Sequence, residues 1–152
     1  NIKIIASIPL FQENVKKSQR LLITWITDEP EVYAKIQRYI TAEDFTEDLY
    51  RKVASRLFED LSKGTYNPAA IISMFSDEEE QREAAALFNT NLPQLNTKQE
   101  KEKAFHDIVY AVKKNSYEYF SGQLGADVNA LNKVISGKKA LEELAKTHIS
   151  LD

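Results

Sequence analysis

The 152-residue chain carries a formal charge of −3, is 43% hydrophobic, and has no cysteine, four glycines and four prolines. A chain of this length buries roughly 70% of its unfolded surface as one domain, so it needs neither metal nor disulfide to fold. The missing cysteines exclude disulfide frameworks and thiolate zinc sites, and the mild acidity argues against generic nucleic-acid binding, which requires clustered lysine and arginine.

Few helix breakers among abundant Glu, Lys, Ala and Leu predict an all-α fold: a helical bundle, then a long helix leading into a C-terminal helical hairpin. Residues 1–11 are apolar, contain Pro9 and read as an extended lead-in whose start looks cut. They lack the basic flank and cleavage site of a signal peptide, and no run nears the roughly 18 to 20 apolar residues of a membrane span; a cytoplasmic protein is expected. A first helix follows from about Gln12 to Thr27, with Val15, Leu22, Trp25 and Ile26 on its core side. Pro30 opens a short second helix through Val32, Ile36 and Ile40. Thr41 to Asp44 offers a cap for a third, drawn by Phe45, Leu49, Tyr50, Val53, Leu57, Phe58 and Leu61 and closed by Gly64.

Asn67-Pro68 opens a helix so apolar, through Ile71, Ile72, Met74 and Phe75, that full burial is expected. Ser76 with Glu79 suggests a capping box before Gln81 to Phe88, placing the acidic run 77–80 on a first turn, where the helix dipole favours it. After a loop at 89–96, Thr97 with Glu100 caps a helix over 97–124, whose stripe comprises Ala104, Phe105, Ile108, Val109, Val112, Tyr119, Phe120 and Leu124. At 1.5 Å per residue it spans about 40 Å and outruns a small bundle. Its far end is expected to project and pair with a last helix over about 127–148, which carries Val128, Leu131, Val134, Ile135, Leu141, Leu144 and Ala145 on one side and Lys133, Lys138, Lys139 and Lys146 elsewhere. Gly137, inside that helix, costs about 1 kcal/mol relative to alanine and marks a kink or weak point. The hairpin shares the long helix with the bundle (12–110) and occupies 111–152.

Catalytic constellations are missing from the pattern. His106 and His148 are the only histidines, and Glu102 with His106 is one mis-spaced pair where a di-iron bundle repeats Glu-x-x-His. Gly137-Lys138 lacks the earlier glycine of a phosphate loop, and Lys139 stands in the Ser/Thr position. No catalytic residue, metal or cofactor is expected, and the residues alone indicate an interaction domain.

The stretches RLLITWI (20–26), Ile40-Thr41-Ala42-Glu43-Asp44-Phe45 leading to Leu49-Tyr50, GTYNPAAIISMF (64–75) and the closing HISLD, in this order and spacing, resemble the C-terminal helicase-binding domain of bacterial replicative DNA primases of the DnaG type. The resemblance covers nearly the whole chain from about residue 14. It implies a non-catalytic module of a DNA-replication protein that docks primase onto the hexameric replicative helicase, with primer synthesis performed by domains elsewhere. The implied partners are the amino-terminal domains of the helicase, with single-stranded-DNA-binding protein as a further one, and no membrane. For the grip, Val134, Ile135, Leu141 and Leu144 are the candidates, with Lys138 and Lys139 as rim charges that steer encounter. The alternatives are the helicase's own amino-terminal domain, or a single-stranded-DNA binder using Tyr110, Tyr117 and Tyr119 with Lys113 and Lys114.

Overall fold

Seven α-helices and two 3₁₀ turns, with no strand among the described residues, make up the computed structural model, which describes the backbone of residues 2–152 and side chains from Asn14 onward. The helices are α1 (Ile2–Asp28), α2 (Tyr33–Ile36), α3 (Asp48–Lys63), α4 (Pro68–Ser73), α5 (Glu78–Asn89), α6 (Lys98–Ser121) and α7 (Ala130–Lys146); the 3₁₀ turns are Pro30–Val32 and Ala42–Asp44. The all-α bundle leading through a long helix into a hairpin is therefore the observed architecture. None of these helices is long and apolar enough to cross a membrane.

The extended lead-in is replaced by helix from Ile2 onward, so Pro9 lies inside α1, while Asn1 is outside the described residues. A proline removes one backbone hydrogen bond but need not end a helix whose neighbouring turns continue. Beyond it, Leu22, Ile23, Trp25 and Ile26 are all buried, and Trp25 meets the ring of Phe105 edge-on at 5.0 Å between centroids. The indole is thus a core anchor joining α1 to α6.

Helix α3 starts three residues later than Phe45 suggests. Thr41 caps the short 3₁₀ turn, its N–H donating to Asp44 Oδ2 at 2.8 Å, and Phe45 then runs extended into the core. The start of α3 is fixed from α1 by Gln19, a fully buried amide whose Oε1 accepts from the Glu47 N–H and whose Nε2 donates to Thr46 Oγ1. Gly64 closes α3 in the left-handed conformation, φ 71°, which a residue with a Cβ adopts only at a cost.

Asn67 caps α4 as the sequence indicates, but full burial does not follow: Ile71 and Phe75 enter the core while Met74 is exposed. A six-residue helix makes fewer than two turns, so apolar residues at consecutive positions fan around the axis and one face stays open. The cap of α5 is Asp77 rather than Ser76, accepting from the Glu80 N–H, and Glu78, Glu79 and Glu80 fill the first turn.

Candidate interaction face

Helix α6 builds the site because it serves two neighbours. Thr97 Oγ1 accepts from the Glu100 N–H at 3.1 Å, and the Glu100 carboxylate accepts from the Asn96 N–H, so the start is capped one residue more broadly than a simple box. Phe105, Val109 and Val112 enter the core against α1, while α7 lies along the opposite flank. The residues α7 buries, Ala130, Gly137 and Leu144, are spaced one heptad apart. This draws a single narrow seam. Gly137 creates no break: α7 passes through it, and its Cα lies against the Tyr117 side chain, where a Cβ would stand 3.4 Å from Cδ2. The helix is continuous at the expected weak point, where it packs closely on α6.

The far end of α6 does not stand free of the bundle. Lys113 and Ser116, both buried on α6, donate to Asp44 in the 3₁₀ turn, Lys113 Nζ at 3.1 and 3.2 Å and Ser116 Oγ at 2.7 Å. Together with the Thr41 N–H these satisfy both oxygens of a buried carboxylate. Further ties come from Lys133 to Glu43 and from Arg38 to Glu143. A projecting hairpin is thus replaced by one moored along its length, because polar residues placed at helical spacing on α6 find partners in the turn.

The mooring leaves one side uncovered. Five large apolar residues of the hairpin are exposed: Tyr119, Leu124, Val128 at 95% of its full surface, Leu131, and Ile135 at 61%. Leu131 and Ile135 are one turn apart on the outer face of α7, and Lys138 and Lys139 continue that face as exposed cations. Lys133 lies over the Phe120 ring at 5.0 Å and seals it, while Tyr119 beside it stays open. Elsewhere among the described residues only Met74 of the large apolar side chains is exposed, in a groove of about 540 Å³ whose rim carries Lys52, Arg56, Glu59 and Glu80. Its charges are mixed, and Phe75, the other apolar residue that lines it, is buried.

Of the residues singled out from the sequence, Ile135, Lys138 and Lys139 are exposed together, and Val134 and Leu141 flank the seam half-buried. Leu144 is corrected: it is fully buried in the core, because the heptad that carries Ala130 and Gly137 turns it onto α6. Leu124, Val128 and Leu131, assigned to the general apolar stripe, belong to the open face instead. The tyrosine and lysine set of the DNA-binding alternative does not share a surface: Lys113 is committed to Asp44, Tyr110 stacks on His106, and Tyr117 packs at Gly137. Glu102, weighed from the sequence only as a metal-ligand partner of His106, has another role. It is a buried carboxylate on the core side of α6, and the 102, 105, 109, 112, 116, 120 spacing would have placed both it and Ser116 there.

The two histidines flank one pocket of about 470 Å³ between α6 and the end of α7. His106 Nε2–H donates to the Leu144 carbonyl at 2.7 Å, and His148 Nε2–H donates to Glu102 Oε1 at 3.0 Å. Both rings are engaged with the chain itself, and among the described residues no group of three or more acidic or imidazole side chains is gathered to hold a metal ion. No known protein family, curated protein or solved structure matches this chain.

Proposed function

We propose that this chain is the helicase-docking domain of a bacterial DNA primase, a non-catalytic module that holds the primase on the hexameric replicative helicase and modulates the activity of both. The observation that carries the reading is the concentration of exposed apolar side chains on the turn and outer face of one helical hairpin, beside a pair of lysines. Scattered single apolar residues are normal on a protein surface, whereas a contiguous group rimmed by charge marks a contact with another macromolecule. An amphipathic helix offering side chains at positions i and i+4 suits a partner that presents a hydrophobic groove or helix pair. The resemblance of the ordered stretches described above supports the replicative helicase as that partner.

The face comprises Leu124, Val128, Leu131 and Ile135, with Tyr119 at its edge and Lys138 and Lys139 steering encounter. Titration calorimetry against the cognate hexameric helicase, run beside a fluorescence titration with labelled single-stranded DNA, tests it. Saturable binding to the helicase and a flat DNA trace are expected. A tight, salt-sensitive DNA isotherm with no heat from the helicase overturns the reading.

A further inference from the structure

Helix α7 is thinly embedded for its length. Only Ala130, Gly137 and Leu144 of its 17 residues are buried, and its packing is almost wholly against α6. Beyond that seam, Lys133 pairs with Glu43, Glu143 with Arg38 and the Leu144 carbonyl with His106, and the two ends of the helix complete its attachment. The first end is closed by a tight turn, in which Asp127 Oδ1 accepts from the Asn129 N–H. The second continues into residues 147–152, which have no regular secondary structure yet cross back over the first turns of α6 and reach α2.

This segment is held in two ways. Ile149 is an apolar plug, only 5% exposed and part of the main core. Glu102 is a polar seat: its Oε2 accepts from the Leu151 N–H at 2.6 Å and its Oε1 from His148 Nε2. The Leu151 amide, then Lys98 and His148, keep the Glu102 carboxyl below its ordinary range. Outer ties are weaker because they lie in water: Lys35 Nζ donates to the carbonyls of Ser150 and Asp152 at 2.6 and 2.8 Å, and Lys98 pairs with the Asp152 carboxylate. One plug and one seat thus carry most of the attachment, and Glu102 spends both oxygens on this segment.

We propose that residues 147–152 form a releasable strap that fixes α7 on α6, so that lifting Ile149 and breaking the Glu102 seat frees the last turns of α7 while the bundle stays folded. The device is a local opening: a short segment with few buried groups leaves at a lower free energy than global unfolding, and it adjoins the last turn of a helix that buries few residues of its own. It goes beyond the docking proposal and stands without it, since every contact involved is within the chain.

Hydrogen exchange on the full chain tests it, using Glu102→Gln with Ile149→Ser, and a milder pair, Glu102→Gln with Lys35→Ala, that spares the plug. Expected is a rise of about tenfold or more in amide exchange from Ala140 onward in the first variant and a smaller rise in the second, with α3 and α5 amides unchanged. A rise confined to 147–152, with α7 as protected as before, overturns the coupling. A parallel rise in α3 and α5 also overturns it, because the segment is then merely one part of a single cooperative core. So does unchanged exchange at Leu151 in both variants.

Discussion

The bundle and the hairpin solve opposite problems with the same kind of helix. In the bundle each stripe has several neighbours: Trp25 of α1 meets Phe105 of α6, Phe45 meets Phe58 edge-on at 5.9 Å, and Phe58 stacks on Tyr33 at 4.6 Å. In the hairpin α7 has one, so its small residues Ala130 and Gly137 go inward while Leu131 and Ile135 go outward. Large side chains are placed where a monomer gains nothing from them. The contrast shows that burial follows the number of available neighbours rather than the hydrophobicity of the stripe.

The comparison can be broken most severely at the polar link between the two regions. Asp44→Ala strands the buried Lys113 ammonium and the Ser116 hydroxyl and is expected to lower stability by about 3–5 kcal/mol in urea titrations, whereas Lys113→Met with Asp44→Leu should recover much of the loss. Leu144→Ala should cost about 2–5 kcal/mol, as a core position does. Ile135→Ala, on the same helix but facing out, should stay within about 0.5 kcal/mol. Equal costs at 135 and 144 would erase the distinction between the two faces of α7.

Acid sharpens the comparison at the strap. Glu102 is depressed in the folded state, so its contribution is present above the ordinary carboxylate pKa and is lost as pH falls through its lower folded value. Protection of the last turns of α7, followed by hydrogen exchange, should therefore fall in that acid window before the α3 amides respond, and Glu102→Gln should flatten the profile. A small effect of opposite sign is expected at Gly137→Ala. A Cβ there meets Tyr117 at an ordinary van der Waals distance, so the gain in helix propensity, up to about 1 kcal/mol, should appear as a slightly raised melting temperature.

What the sequence made legible is local. Gly64, Asn67-Pro68 and Thr97 act as written because caps and left-handed turns depend on a few adjacent residues. Trp25 and the α6 stripe were legible through periodicity. Illegible were features in which two elements far apart in sequence decide: Asp44 receiving Lys113 and Ser116 from α6, Glu102 seating the strap, and Leu144 rather than Ile135 turning inward. On a helix with a wide apolar stripe, periodicity names the side that is apolar; which part of it is covered depends on how many neighbours arrive. Pro9 and the α3 start were misjudged because a strong local signal, proline or a cap motif, was outweighed by continuation of α1 and by the Gln19 clamp.

The most direct test of the proposed docking role compares two exposed apolar sites in one experiment. Calorimetric titration of the cognate hexameric helicase with the native chain, with Met74→Asp in the bundle groove, and with Leu131→Asp plus Ile135→Asp on the hairpin separates them. The account predicts native affinity for Met74→Asp and at least about a tenfold loss for the hairpin variant, since central apolar anchors carry most of an interface's energy. Undiminished binding by a folded hairpin variant, or a loss at Met74→Asp alone, would contradict it.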